Sequence, residues 1–156
     1  METEIFEILM KRKHKIGFCE SCTGGLISSR FSQIPGVSEV FDRSIITYSN
    51  LSKVEEVGVN QTTLEEHGAV SEETALEMAK GLLNKSNSLD IVLSVTGVAG
   101  PSGGTKEKPV GLVYLCISTR TSSKVIKCNF DGNRKSIQEK VSTRAFSELR
   151  KFLLNI

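Results

Sequence analysis

The sequence predicts an α/β fold, a three-layer α/β/α sandwich around a mixed, mostly parallel sheet. Three observations lead there. Strand-like and helix-like segments alternate along most of the chain, the pattern of parallel strands joined by crossover helices. Asp90-Ile-Val-Leu-Ser-Val95 is apolar nearly throughout, as a strand covered on both faces should be. Two β-rich runs, Val113–Ile117 and Val125–Phe130, flank a polar turn near Thr121-Ser-Ser123 and read as a hairpin, which adds antiparallel pairing.

The elements follow in order. Ile5, Phe6, Ile8 and Leu9 carry helical spacing, and the basic run Lys11-Arg-Lys-His-Lys15 suits a helix C-terminus. Ile16-Gly-Phe-Cys19 is a short strand. Thr23-Gly-Gly opens a helix through Leu26, Ile27 and Phe31, stopped by Pro35-Gly36. Ser44-Ile-Ile-Thr-Tyr48 is β-branched and aromatic, hence a strand. Asn50 caps a short helix over Leu51–Val57, closed by Gly58, and Thr62–His67 adds a turn. Ser71 caps a helix reaching about Leu83, with Glu72 and Glu73 favourably placed against its dipole. The last helix runs from Arg134 to Leu154, with Ile137, Val141, Phe146, Leu149 and Phe152 along one stripe.

Composition narrows the function classes. The 156 residues suit one domain, expected to span residues 1–156. With 38% hydrophobic residues plus 13 glycines and 24% charged residues, the chain falls in the ordinary globular range. Twenty basic against eighteen acidic residues leave a net charge of +2, too little to imply nucleic acid or an anionic membrane as partner. The start Met1-Glu-Thr-Glu-Ile-Phe-Glu7 is acidic where an export signal would be basic and then apolar. Four cysteines without such a signal fit a reducing compartment, so a cytoplasmic location is expected.

Three unusual segments all follow strands, where open α/β sheets place their ligands. The first, Glu20-Ser-Cys-Thr-Gly-Gly25, puts a hydroxyl or thiol beside the N–H groups of a helix start, which bind an anion or an oxyanion. The competing reading is a plain N-cap by Ser21 or Thr23. The same run holds Cys19-Glu-Ser-Cys22, a CxxC that by itself resembles a thiol redox pair. Cys116 and Cys128 lie in strands rather than in a second CxxC, and His14 and His67 have no ligand-like spacing to any cysteine, so no metal is expected.

The second segment, Tyr48-Ser-Asn-Leu-Ser-Lys53, offers a phenol and an amine. Lysine serves as a base only if desolvation or a nearby cation lowers its pKa; otherwise it is a solvated surface residue. The third, Thr96 to Pro109, is a glycine-rich loop that fits neither the Walker nor the Rossmann pattern and is either a ligand loop or a mobile connection. Phe130-Asp-Gly-Asn-Arg134 places an arginine at a helix start, able to clamp a phosphate or carboxylate.

Taken together these segments resemble the C-terminal domain of the competence/damage-inducible protein CinA, a family that includes nicotinamide-nucleotide amidohydrolases. The matching runs are Glu20–Gly25, Tyr48-Ser-Asn50 with Lys53, His67-Gly-Ala-Val-Ser71, Met78-Ala79, Val95–Pro101, Lys108-Pro-Val-Gly111 and Gly132-Asn-Arg134. At Asp42-Arg-Ser44 the chain departs from relatives, which often carry glycine before that strand. The resemblance implies hydrolysis of the carboxamide of nicotinamide mononucleotide to nicotinate mononucleotide and ammonia, without cofactor or metal. It implies Ser21 as nucleophile, Lys53 as base and Tyr48 as supporting hydroxyl. It places substrate contacts at Thr23, Gly24, Gly25, Asn50, Thr96, Gly97, Gly100 and Arg134, and it suggests a homo-oligomer. A nucleotide-binding regulatory module without turnover is the alternative.

Overall fold

The computed structural model describes residues 1–156. One five-stranded sheet in the order β2-β1-β3-β4-β5 organises every other element. The strands are β1 (Ile16–Glu20), β2 (Phe41–Ile46), β3 (Ile91–Gly97), β4 (Leu112–Thr119) and β5 (Ser123–Asn129). β1 pairs with β2 and with β3 in parallel, whereas β3–β4 and β4–β5 are antiparallel. Four strands therefore point the same way and β4 alone runs against them, which agrees with the α/β class and the mixed sheet expected.

The helices are α1 (Glu2–Arg12), α2 (Leu26–Ser32), α3 (Asn50–Val57), α4 (Gln61–His67), α5 (Glu72–Lys85) and α6 (Arg134–Leu154), with one 3-10 turn at Val37–Glu39. α1, α2 and α6 pack together on one face of the sheet; α3 and α4 pack on α5 on the other. Each face has its own apolar layer. The larger gathers Ile5, Leu9, Ile27, Phe31, Val141, Phe146 and Leu149 against Phe18, Leu93 and Leu115. The smaller sets Met78, Ala79 and Leu82 of α5 against Cys19, Val92 and Cys116. The all-buried patterns of β1 and of most of β3 follow from being covered on both sides. No helix is long and apolar enough to cross a membrane.

Element boundaries differ from the sequence expectations in instructive places. β2 spans Phe41–Ile46 rather than residues 44–48, because Phe41 pairs with Ile16 and packs edge-on against Phe18. Thr47 keeps one bond to β1, through its N–H to Glu20 O, but β2 ends at Ile46 and Tyr48 lies beyond it. α3 is capped by Ser49, whose side chain accepts from the Ser52 N–H, so Asn50 is the first helical residue. α2 starts at Leu26, not at Thr23, and neither Ser21 nor Thr23 caps it. α6 keeps its expected bounds.

Parallel register is what positions a site. Glu20 at the end of β1 sits opposite Ile46 of β2 and Val95 of β3, so three strand ends lie side by side. The segments leaving them are residues 21–25, 47–53 and the loop after Gly97. All three unusual segments of the sequence thus emerge along one edge of the sheet.

Candidate active site

The backbone of Ser21 is fixed from both sides. Its N–H donates to Val95 O at 3.0 Å, while the Thr47 N–H donates to Glu20 O at 2.8 Å. Its side chain is only 7% exposed. One turn into α3, Lys53 reaches back towards it and is itself 1% exposed. The Lys53 Nζ donates to Ser21 Oγ at 3.0 Å, to Thr47 O at 2.7 Å and to Tyr48 O at 3.2 Å.

No carboxylate accompanies this ammonium. Burial lowers the Lys53 pKa below its ordinary value, since the charged form loses hydration without gaining a counter-ion; the nearby thiols of Cys19 and Cys22 act weakly the other way. The neutral amine also suits its surroundings. Its two N–H bonds point to two carbonyl oxygens, and its lone pair can accept the Ser21 hydroxyl proton. A serine hydroxyl facing a desolvated amine is an arrangement that can serve as a nucleophile with its base.

Glu20 governs the turn that carries Ser21, and sequence reasoning passed over it. Its fully buried carboxylate accepts from Thr23 Oγ1 at 2.5 Å, Gly25 N at 3.1 Å, Ile27 N at 3.2 Å and Ser28 N at 2.8 Å, and from the Ser28 hydroxyl. The anion expected at the start of α2 is therefore the protein's own side chain, and these N–H groups are not open to a ligand. Closer to Ser21, the N–H groups of Cys22 and Thr23 have no acceptor within the chain. Gln138 of α6 donates from Nε2 to Cys22 O at 2.9 Å and ties the turn to the opposite layer. A glutamate ending an otherwise apolar strand just before a helix was the available signal for Glu20.

The other predicted residues divide into two groups. Tyr48, Gly100 and Arg134 converge: Arg134 donates from Nη1 to Gly100 O at 2.8 Å and from Nη2 to the Tyr48 phenol. The phenol is bonded neither to Ser21 nor to Lys53; the Tyr48 carbonyl is the part that meets the amine. Thr96 is buried and donates to Ala69 O at 2.7 Å. A side chain at Gly97 would meet Val113 at 2.5 Å, so strand packing by itself demands glycine there. Gly24 is exposed, and Gly25, with φ of 102°, leaves its Cβ space to Ile46. Asn50 is exposed at the start of α3, beside a surface depression lined by Leu51, Val54 and Leu64.

The thiols do not form a site. All four cysteines are free and buried. Cys19 packs in the layer under α5 and Cys22 in the layer under α6, on opposite faces of the sheet. Burial pushes Cys19 up to about 11 and Cys22 up to about 12, the reverse of what a reactive thiol needs. No group of three or more His, Cys, Asp or Glu side chains converges to hold a metal ion.

Residues 1–153 match the family described as the CinA C-terminal domain. The chain belongs to this family. Among CinA relatives, a protein of Caldicellulosiruptor saccharolyticus provisionally named competence-damage inducible protein is 46% identical over 155 residues, covering 99% of this chain and 38% of that protein. A CinA-like protein of Endomicrobium trichonymphae is 47% identical over 147 residues, covering 94% of this chain and 34% of its own length. The chain thus spans little more than a third of these relatives. The crystal structure of competence/damage inducible protein CihA from Agrobacterium tumefaciens superposes with a TM-score of 0.92 at 38% identity, covering 96% of this chain and 92% of that one. A CinA superfamily protein from Klebsiella pneumoniae gives a TM-score of 0.95 at 27% identity, covering 99% and 96%. The fold, including the mixed sheet, is that of the CinA superfamily.

Proposed function

We propose that the chain is a serine amidohydrolase acting on the carboxamide of nicotinamide mononucleotide. The observation that carries this reading is the desolvated Lys53 amine, without a counter-ion, 3.0 Å from Ser21 Oγ. A nucleotide-binding module without turnover has no use for that pair, and burying a lysine costs stability.

In the proposed reaction Ser21 Oγ attacks the carboxamide carbon while Lys53 Nζ takes the hydroxyl proton. Negative charge develops on the former carbonyl oxygen, and the free N–H groups of Cys22 and Thr23 are the donors at hand for it. Collapse breaks the C–N bond, and Lys53 returns the proton to the departing ammonia. Water then attacks the seryl ester with Lys53 again as base, releasing nicotinate mononucleotide and regenerating Ser21. Arg134, exposed beside Tyr48, suits the phosphate end of the substrate. A supporting role for the Tyr48 phenol passes through Arg134 rather than through the proton transfer.

A cytoplasmic setting and a homo-oligomeric state are part of the same proposal. Fractionation and sedimentation check them. The function is tested by ammonia release from nicotinamide mononucleotide by the purified chain, with and without a chelator. Turnover that survives chelation supports the Ser21–Lys53 pair. Turnover abolished by chelation and restored by a divalent metal would replace it with a metal-activated water.

A further inference from the structure

We propose that Glu20 is the positioning residue of the site, holding the Ser21 turn in its reactive shape through an ionised carboxylate. This inference rests on the amidohydrolase reading above. Glu20 precedes the nucleophile directly, is fully buried, and faces no lysine or arginine close enough to pair with it. Five donors converge on its two oxygens instead: two hydroxyls and three backbone N–H groups, all within residues 23–28. A carboxylate accepts from all five, whereas a carboxamide presents two N–H donors on one side and can accept only on the other.

The consequence reaches Ser21 through the backbone. Residues 21–25 are a turn without regular helical bonds, closed by Gly24 N to Ser21 O at 3.0 Å and Leu26 N to Thr23 O at 3.1 Å. Glu20 spans that turn from within, fastening its far end at Gly25, Ile27 and Ser28 while its own carbonyl is fixed to Thr47. The distance between the Ser21 hydroxyl and Lys53, and the direction of the Cys22 and Thr23 N–H groups, therefore depend on one buried charge. Glu20 touches neither Lys53 nor the exposed rim at Arg134, so substrate binding and the ionisation of the base should not depend on it.

The test compares wild type, Glu20→Gln and Glu20→Asp for kcat and KM on nicotinamide mononucleotide, the pH profile of kcat/KM, and the rate at which Ser21 is phosphonylated by a fluorophosphonate. The expected result for Glu20→Gln is a fall in kcat of about 100-fold, the size seen when one oxyanion donor is lost, with KM within about threefold. The pH profile should keep its shape and phosphonylation should slow in parallel. Glu20→Asp, which keeps the charge, should recover part of the rate. A folded Glu20→Gln protein with kcat and phosphonylation within threefold of wild type overturns the proposal. So does a fall in kcat matched by an equal rise in KM. If Glu20→Gln does not fold, Ser28→Ala removes one hydroxyl bond to Glu20, together with the Ser28–Ser44 hydroxyl bond, and should lower kcat by several-fold, whereas Ser44→Ala, which removes only the latter, should not; an unchanged kcat in Ser28→Ala, or an equal fall in Ser44→Ala, overturns the proposal. The probe separates the two readings. Ser21 that labels in a Glu20-dependent way without hydrolysing the nucleotide refutes the substrate and supports the positioning. Ser21 that neither labels nor turns over refutes both.

Discussion

Replacing Lys53 with arginine keeps a positive charge at the site and removes the ability to accept a proton. Lys53 is 1% exposed and its Nζ meets three acceptors between 2.7 and 3.2 Å, so a guanidinium there can still donate to Thr47 O and Tyr48 O. What changes is the supply of neutral base. A lysine at its ordinary value of 10.5 is neutral roughly once in a thousand molecules at pH 7.5, and each unit by which burial lowers it multiplies that share by ten. Arginine holds its proton far more tightly and is neutral on the order of 10³-fold less often than even an unshifted lysine. Lys53→Arg should therefore lose at least about 10³ in kcat/KM, roughly 4 kcal/mol of transition-state stabilisation. The assay is ammonia release at pH 7.5, with thermal unfolding to establish that the variant is folded and Lys53→Met as a second, uncharged replacement. A folded Lys53→Arg protein retaining more than about a tenth of wild-type turnover would refute the base assignment and leave Lys53 as a positioning charge.

Cys22→Ala should keep turnover within several-fold of wild type, because a thiol held at about 12 is ionised in fewer than roughly one in ten thousand molecules at neutral pH; Thr23→Ala should lose more, through its bond to Glu20, yet stay measurably active. Lys53 should also leave a mark on stability. Its folded-state pKa is lowered, so between that value and 10.5 the unfolded chain carries a proton that the folded chain lacks, and stability rises with pH by up to about 1.4 kcal/mol per unit. Denaturant unfolding of wild type and Lys53→Met across pH 6 to 10 reads this as wild type gaining stability relative to the variant as pH rises; parallel pH dependences would show that Lys53 titrates normally.

Much of the fold was legible because burial leaves a pattern in sequence. The apolar run of β3, the stripe of α6 and the polar turn of the hairpin each report which faces are covered. β2 was less legible. Its exposed Asp42 and Arg43 break the alternation, while Thr47 and Tyr48 look strand-like although their carbonyls turn aside to face Lys53. The candidate site was readable where chemistry needs a side chain, as at Ser21 and Lys53, and where a strand end meets a glycine turn. It was not readable where the backbone does the work. Two carbonyl oxygens solvate the Lys53 amine, and two unpaired N–H groups follow Ser21, yet any residue type supplies those. Glu20 was signalled only by its place, at the end of an apolar strand and just before a helix; the three backbone N–H groups and two hydroxyls that gather on its carboxylate leave no pattern of their own in the sequence. Tyr48 carried the opposite ambiguity, since its phenol and its carbonyl serve different partners.

In the reaction we propose, Ser21 Oγ is the atom that attacks the carboxamide of nicotinamide mononucleotide. Its most direct test is the stoichiometric release of ammonia and nicotinate mononucleotide by wild type and by Ser21→Ala, with binding of the nucleotide measured alongside. The expected result is one ammonia per nicotinate mononucleotide for wild type, and for Ser21→Ala no release above background while the nucleotide still binds. Turnover retained in Ser21→Ala would assign the attack to another group, and a wild-type chain that binds the nucleotide and never hydrolyses it would refute the amidohydrolase reading.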